Sequence, residues 1–154
     1  MAHKTNAVKI RLLKPTEAGG LWKATLKRAD KTCFPGDARH KFSGKTWVIL
    51  IGDKLAGYAC TKSHSPHTAF LDRYGILPRY RGQGLQTKLL KKCLDWHRNR
   101  TTKQVVTYTK PENAKSTNSL LKIGFKPYWP RAIWASKNVV YLILRQKCRN
   151  YKKS

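Results

Sequence analysis

Residues 71–96 constrain the fold most, because they join an apolar strand to an amphipathic helix through the basic turn Arg81-Gly82-Gln83-Gly84. The first backbone N–H groups of a helix have no partner inside the helix, and the helix dipole favours negative charge there. Glycine permits tight-turn backbone angles and lets a phosphate reach the backbone. The stretch therefore predicts an anion-binding turn at a helix start.

The charge of the chain narrows the class of partner. Its 33 Lys and Arg residues against 7 Asp and Glu residues give a formal net charge of +26. A field of that sign attracts polyanions, and each neutralised phosphate releases counterions. We therefore expect a nucleic acid or a nucleic-acid-rich assembly as partner: tRNA, DNA or the ribosome. The alternative explanation is that the proteins of the source organism are generally basic.

The length of 154 residues with 40% hydrophobic residues fits a single domain over residues 1–154, with short basic ends at 1–5 and 147–154. The scattered cysteines predict neither a zinc site nor a disulfide framework, and we expect no metal at the polar pair His64 and His67. No apolar run reaches ~18 residues and no signal peptide is evident. We expect a cytoplasmic protein that does not bind membranes, as a monomer or homodimer.

Hydrophobic periodicity predicts the order β, α, β, β, β, α, β, α, β, which is a mixed α/β domain. The predicted strands cover residues 7–13, 47–51, 55–61, 69–77, 104–109 and 138–146, the last buried on both faces, and 52–54 form a hairpin turn. One helix starts at Pro15, with an apolar stripe of Leu21, Trp22, Thr25, Leu26 and Ala29. Residues 30–45 and 63–68 are predicted irregular. The helix after the glycine turn has the apolar face Leu85, Leu89, Leu90, Cys93, Leu94 and His97. The third helix is capped by Asn113 and Gly124, with Phe125 folding back.

Two motifs in this order of elements resemble the GNAT superfamily of N-acetyltransferases, of phage and bacterial type. The first is residues 76–85, Ile-Leu-Pro-Arg-Tyr-Arg-Gly-Gln-Gly-Leu, and the second is Asn113-x-x-Ser116 followed by Leu-Lys-Ile-Gly-Phe at 121–125. The resemblance implies an α/β fold with a mixed, mostly antiparallel sheet of six to seven strands and helices on both faces. It also implies an acetyltransferase that uses acetyl-CoA.

The resemblance implies a coenzyme A site at the first motif, which can be aligned with the family motif in two registers. Arg79, Gly82 and Gly84 match the letters of the family motif, whereas Arg81, Gly84 and Gln86 better fit its distance from the strand, and we prefer the second. Gln86 then departs from the family's small residue and either crowds the pyrophosphate or donates a hydrogen bond to it. In both registers the pyrophosphate faces the turn and first helical residues, Arg81, Gly82, Gln83, Gly84, Leu85, Gln86 and Thr87.

The family resemblance also assigns the pantetheine arm and the acetyl carbonyl to the backbone of Tyr74, Gly75 and Ile76, with Asn113 and Ser116 contributing from the second motif. Asn113 also has the position of a helix cap, and both roles are compatible.

The catalytic groups are less well marked. Asp72 on the fourth strand is the best-placed general base, with a salt bridge to a cation such as Arg73 as the alternative. Leu120 occupies the position where many family members carry a tyrosine that acts as the general acid. Tyr108 stands where some members carry a glutamate. Tyr108 is the first choice for a polar catalytic group, with Tyr128 and Tyr141 behind it; a structural role is the alternative. Asp30 and Asp37 are candidate substrate contacts.

The sequence contains no obvious strong general base, which favours an acceptor amine that is already partly neutral. A lysine amine with a pKa near 10.4 is free base about once in a thousand at neutral pH, while an α-amine near 7.7 is about one-third free. We therefore expect acetyl transfer to a primary amine on or near a polyanion: an aminoacyl-tRNA, a modified DNA base or a ribosome-associated protein N-terminus. The alternatives are a nucleic-acid-binding domain with little catalytic activity and a small-molecule amine acetyltransferase.

Overall fold

The computed structural model describes residues 7–147. The predicted basic end at 1–5 and all of the predicted end at 147–154 except Lys147 lie outside the described residues. The helices are α1 (Pro15–Ala18), α2 (Lys23–Cys33), α3 (Leu85–Arg98) and α4 (Ala114–Ile123). The strands are β1 (Val8–Leu12), β2 (Lys45–Ile51), β3 (Lys54–Ser65), β4 (Thr68–Ile76), β5 (Gln104–Thr109), β6 (Lys126–Pro127) and β7 (Val140–Arg145). A 3-10 turn covers Pro78–Tyr80.

The strands form a seven-stranded sheet in the order β1-β2-β3-β4-β5-β7-β6. The pairs β1–β2, β2–β3, β5–β7 and β6–β7 are antiparallel, while β4 and β5 run parallel. The predicted mixed, mostly antiparallel sheet is therefore confirmed. The parallel register joins three residue pairs and ends at Phe70 and Val106.

The chain divides into two compact units. Among the described residues, the first unit holds 7–62 and 72–93, and the second holds 63–71 and 94–147. No helix among residues 7–147 is both long and apolar enough to cross a membrane.

The core of the first unit forms where α2 packs against the hairpin of β2 and β3. Its buried members are Leu13, Leu26, Ala29, Val48, Leu50, Leu55, Tyr58 and Cys60. Full burial of each large apolar side chain contributes about 1.5–3 kcal/mol. The hairpin turns at Gly52, whose φ of 59° suits glycine, as the sequence predicted.

The prediction of one helix from Pro15 is wrong, because the chain forms two helices separated by Gly19 and Gly20. A Cβ on Gly20 would lie 2.7 Å from the carbonyl oxygen of Thr16, so the turn between α1 and α2 requires glycine there. Leu21 was assigned to the apolar stripe but is 93% exposed in this turn. Leu26 and Ala29 are buried as predicted.

Other predicted boundaries also change, and one strand was not predicted. Helix α2 continues to Cys33, so the irregular connection begins at Phe34 rather than at Asp30. Strand β3 reaches Ser65, which shortens the predicted polar turn. The sequence analysis missed β6, in which Pro127 is tolerated because this strand lies at the edge of the sheet.

The second unit contains β5, β7 and α4. Strand β5 has the predicted bounds, and the centre of β7 is buried through Tyr141, Leu142 and Ile143. Helix α4 ends at Gly124, whose φ of 118° is left-handed, and Phe125 behind it is buried as predicted.

Helix α3 has the predicted amphipathic character. All six predicted apolar-face residues are buried: Leu85, Leu89, Leu90, Cys93, Leu94 and His97. Lys88, Lys91 and Lys92 are exposed. The 3.6-residue period of the sequence was therefore enough to orient this helix.

Candidate active site

The glycine turn leads from β4 through the 3-10 turn into α3. Gly82 and Gly84 have φ values of 81° and 73°, a region that other residues rarely adopt. A Cβ at either position would meet nothing within 4 Å, so backbone conformation rather than crowding requires glycine. The same open space leaves the backbone of the turn accessible to a ligand.

Among residues 7–147, the first amides of α3 donate no backbone hydrogen bond. The first intrahelical bond runs from the N–H of Lys88 to the carbonyl of Gly84, at 3.3 Å. The N–H groups of Leu85, Gln86 and Thr87 therefore precede the hydrogen-bonded ladder, which is the arrangement that binds anions. Gln86 is half-buried beside them.

Arg81 connects this turn to the end of β4. Its Nε donates to the carbonyl of Ile76 at 2.8 Å. The same carbonyl accepts a 3.5 Å hydrogen bond from Sγ of Cys33 at the end of α2. Ile76 and Gly75 are buried, and a Cβ on Gly75 would lie 3.0 Å from that sulfur. The predicted residues Tyr74, Gly75, Ile76 and 81–87 thus lie consecutively in the first unit, around one strand end and one helix start.

Asp72 lies on β4 in the first unit, with its side chain only 15% exposed. Its Oδ2 is 3.4 Å from Nζ of Lys62 and 3.8 Å from Nε2 of His40. The alternative for Asp72, a salt bridge to a nearby cation, is confirmed with Lys62 as the partner. Arg73, the cation given as an example, binds Asp30 and Asp37 instead. Sequence reasoning missed His40, whose irregular segment carries no periodic signal.

His40 is an unusual neighbour for Asp72. Its Nε2 is buried and has no hydrogen-bond partner among the described residues. Burial lowers the pKa of His40, while the nearby Asp72 carboxylate opposes that change. The imidazole is therefore biased towards the neutral form, which can accept a proton.

Asp30 belongs to a buried charge network on α2 and does not lie in the predicted irregular segment. Its carboxylate accepts hydrogen bonds from Nε and Nη2 of Arg73, at 2.8 and 2.9 Å, and from the hydroxyl of Tyr58. Burial alone would raise the pKa of Asp30, but the hydrogen bonds from Arg73 and Tyr58 outweigh it and lower the pKa. Burial and the bond to Asp30 raise the pKa of Tyr58. Asp30 thus holds α2 to β3 and β4, a structural role that the sequence analysis did not foresee.

Tyr108 lies on β5 in the second unit and is 40% exposed. Its ring stacks on Phe70 at a centroid distance of 5.9 Å and contacts Trp134 and Tyr141 at 5.6 and 6.4 Å. In the part of the chain that the structure describes, these ring contacts hold Tyr108 and its hydroxyl has no hydrogen-bond partner. The side chain is therefore positioned by packing while its polar end stays available.

The two tyrosines named behind Tyr108 differ from it. The hydroxyl of Tyr141 donates to the carbonyl of Ser136 at 2.7 Å and accepts from the N–H of Ala135 at 3.2 Å, so it secures the segment before β7. The hydroxyl of Tyr128 accepts from Nε1 of Trp134 at 3.2 Å, and burial raises its pKa. These contacts give both tyrosines structural roles.

The second predicted motif lies at the start of α4 in the second unit. Oδ1 of Asn113 accepts from the N–H of Ser116 at 3.2 Å, which confirms the helix cap. The cap uses Oδ1 and not the side-chain NH₂ group. Leu120 is fully buried, so the family's tyrosine position holds an apolar core residue here.

The model of the Acetyltransferase (GNAT) family matches residues 14–125, which is most of the chain. The chain belongs to this family. This confirms the predicted membership of an acetyltransferase family.

Known relatives agree with this assignment. N-alpha-acetyltransferase 30 of Schizosaccharomyces pombe is 29% identical over 93 residues, which are 58% of this chain and 62% of that protein. The chain thus matches under two thirds of the length of this curated relative.

Solved structures share the fold. The ribosomal-protein-S18-alanine N-acetyltransferase from Escherichia coli matches with a TM-score of 0.75 and 16% identity over 96% of this chain and all of that one. Arabidopsis thaliana Naa50, in complex with the bisubstrate analogue CoA-Ac-MVNAL, matches with a TM-score of 0.68 and 18% identity, covering 88% and 96% of the two chains.

Proposed function

We propose that this protein transfers the acetyl group of acetyl-CoA to the α-amino group of a protein N-terminus, presented on or near a polyanion such as the ribosome. The observation that carries the proposal is the turn at residues 81–87, where open glycines and unpaired amides meet the start of α3. Such a site suits the pyrophosphate of coenzyme A.

In this proposal the cofactor site uses the predicted residues. The amides from Gly82 to Thr87 hold the pyrophosphate, with Arg81, Gly84 and Gln86 as the register, because this register better fits the distance of the family motif from the strand. The backbone of residues 74–76 holds the pantetheine arm and polarises the acetyl carbonyl. Asn113 and Ser116 bind the arm from α4, and the NH₂ group that the cap leaves unused is the donor on Asn113.

Bound acetyl-CoA supplies a thioester that an amine can attack directly. The protein must then orient the amine, remove its proton and stabilise the leaving thiolate. We propose Asp72 as the base, with His40 beside it, and Tyr108 as the acid. Nζ of Lys62 lies 3.4 Å from Oδ2 of Asp72 and helps to position this carboxylate. A carboxylate is a weak base, which suits an amine that is already partly neutral.

The choice of an α-amine rests on two supports. An α-amine with a pKa near 7.7 needs far less help from a base than a lysine amine near 10.4. The curated relative is named as an N-alpha-acetyltransferase, and the E. coli enzyme of similar fold acts on the alanine of ribosomal protein S18. Among the three amine classes expected from the sequence, these comparisons favour the protein N-terminus over aminoacyl-tRNA and a modified DNA base.

The net charge of the chain supports the ribosome as the place where the protein meets its substrate. A net charge of +26 draws the protein to RNA-rich assemblies, and a ribosome offers both phosphates and emerging N-termini. We therefore propose a cytoplasmic protein, monomeric or homodimeric, that meets its substrate at the ribosome. A polyamine acceptor is disfavoured because the same field repels cations.

The proposal is tested by incubating the protein with radiolabelled acetyl-CoA and separate pools of peptides, aminoacyl-tRNA, DNA and polyamines. The peptide pool contains free N-termini, and a matched pool has the same sequences with blocked N-termini. We expect label on free N-termini and none on the blocked pool. Label confined to tRNA, DNA or a polyamine would reassign the acceptor, and an absence of acetyl-CoA binding by calorimetry would remove the catalytic proposal.

A further inference from the structure

One cleft in the first unit is lined by His40, which lies beside the proposed base, and by other residues that take no part in the proposed chemistry. It has a volume of about 400 Å³ and lies between the C-terminal half of α2 and residues 34–42; we call it the α2 cleft. Four cations line it and are exposed: Lys27, Arg28, Lys31 and Arg39. A volume of this size is that of a ligand pocket rather than a surface dimple.

The carboxylates of the cleft do not neutralise these cations. Asp30 and Asp37 also line it, but both bind Arg73, at 2.8 and 3.5 Å. Among residues 7–147, no ion pair involves the four lining cations. The cleft therefore has a net positive wall whose charges remain available to a ligand.

The lysines of α2 do not stabilise this helix. Lys23, Lys27 and Lys31 follow one another at four-residue spacing on α2, where like charges repel. Asp30, the acid on this helix, points inward to Arg73 and Tyr58 and does not screen them. An anion bound in the cleft relieves that repulsion.

The remaining wall is apolar and aromatic. Phe34, Pro35 and Phe42 line the cleft, with Phe42 against the rings of His40 and Tyr58. Cations that track a phosphate backbone beside aromatic rings are the combination that binds single strands. A concave pocket admits an unpaired nucleotide, whereas a duplex is too broad to enter it.

We infer that the α2 cleft binds single-stranded nucleic acid, with phosphates on Lys27, Arg28, Lys31 and Arg39 and a base or ribose against the aromatic wall. The inference rests on the polyanion part of the proposed function and names the place where that polyanion binds. It requires neither acetyl transfer nor a protein acceptor.

The test measures binding of a fluorescent single-stranded oligonucleotide to the full chain by anisotropy over a range of salt concentrations. The double variant Lys27→Gln/Lys31→Gln removes two charges from the cleft. Lys91→Gln/Lys92→Gln removes two exposed charges from α3 and is the matched control, because both variants have the same net charge. A hexa-aspartate peptide and the duplex form of the oligonucleotide serve as competing probes.

We expect the cleft variant to weaken binding by about tenfold or more, the size of losing charge-assisted contacts. Its slope of log K against log salt falls by about 1.4, since each phosphate contact on a single strand contributes about 0.7. The α3 control changes affinity less than about threefold, as expected for distant screened charges. The duplex binds more weakly than the single strand.

Equal effects of the two double variants would overturn the inference, because binding would then follow net charge alone. Hexa-aspartate that competes as well as the oligonucleotide would reassign the cleft to acidic peptides. A duplex that binds as tightly as the strand would also contradict it. Acetyl transfer to peptides is measured on the same preparations: oligonucleotide binding without transfer contradicts only the proposed function, and transfer without oligonucleotide binding contradicts only this inference.

Discussion

The turn at residues 81–87 and the α2 cleft both offer positive charge to an anion, but they are built from different parts of the chain. The turn uses backbone N–H groups at one helix start, positioned by two glycines with positive φ. The cleft uses flexible cationic side chains above a buried network of Asp30, Arg73 and Tyr58. A single substitution that changes the backbone should therefore disable the turn. Removing the cations of the cleft one at a time should lower its affinity for an anion gradually, unless the buried network beneath them is lost.

The largest effect is expected from Asp30→Asn, which removes the charge beneath the cleft and leaves Arg73 poorly paired. Breaking a buried ion pair at one end costs about 3 kcal/mol of the free energy of unfolding. Urea denaturation measures this loss. Asp95→Asn is the control, since the side chain of Asp95 is 51% exposed beside Arg98 and its pair contributes about 0.5 kcal/mol or less. Similar losses in the two variants would mean that the Asp30 network does not support the cleft.

The turn is tested by Gly84→Val. A β-branched residue resists the φ of 73° at this position, so the turn must rearrange and its amides move away from the phosphates. We expect acetyl-CoA affinity to fall about 100-fold, which corresponds to the loss of about two charge-assisted hydrogen bonds. Calorimetry measures the dissociation constant.

The matched control is Gly36→Val, since Gly36 has no positive φ and a Cβ there meets nothing within 4 Å. We expect the control to bind acetyl-CoA like the parent chain. Retention of affinity in Gly84→Val would contradict the backbone-built site.

A smaller effect is expected from pH on the Asp30 network. The hydrogen bonds from Arg73 and Tyr58 lower the pKa of Asp30, so its contribution to stability is present above the ordinary aspartate pKa near 3.9 and is lost as pH falls below it. The difference in unfolding free energy between the parent chain and Asp30→Asn should therefore narrow between pH 5 and pH 3. A difference that stays constant over this range would show that the carboxylate does not carry the effect.

The smallest effect is expected at Gln86, the residue that departs from the small side chain of the family motif. We expect Gln86→Ala to weaken acetyl-CoA binding about fivefold, because its amide then no longer donates to the pyrophosphate. Tighter binding by this variant would show that Gln86 crowds the site instead. Thr87→Ser, which retains the backbone amide and the hydroxyl, is the conservative comparison.

The difference between the two regions also explains what the sequence could predict. The turn, the apolar face of α3 and the caps of α4 depend on residues close in sequence, so spacing and glycine position revealed them. The cleft joins α2, an irregular segment and Arg73 of β4, more than forty residues from Asp30. No local periodicity connects them.

The errors have the same origin. Leu21 fits a helical stripe by spacing, but two adjacent glycines end the helix before it, and the residue is exposed. Asp30 looked like a loop residue because the helix signal weakens after Ala29, while its burial depends on Tyr58 and Arg73 from distant strands. Tyr108 was predicted from a position where some family members carry a glutamate, but its contact with the ring of Trp134 follows from tertiary packing alone.

The proposed acceptor is the α-amine of a protein N-terminus. The most direct measurement uses one peptide that begins with alanine, has a free N-terminus and contains an internal lysine. The peptide is incubated at pH 7 with acetyl-CoA and the protein, and the modified position is mapped by mass spectrometry. We expect acetylation of the α-amine and not of the lysine. Acetylation of the lysine, or no modification of any such peptide by a preparation that binds acetyl-CoA, would contradict the claim.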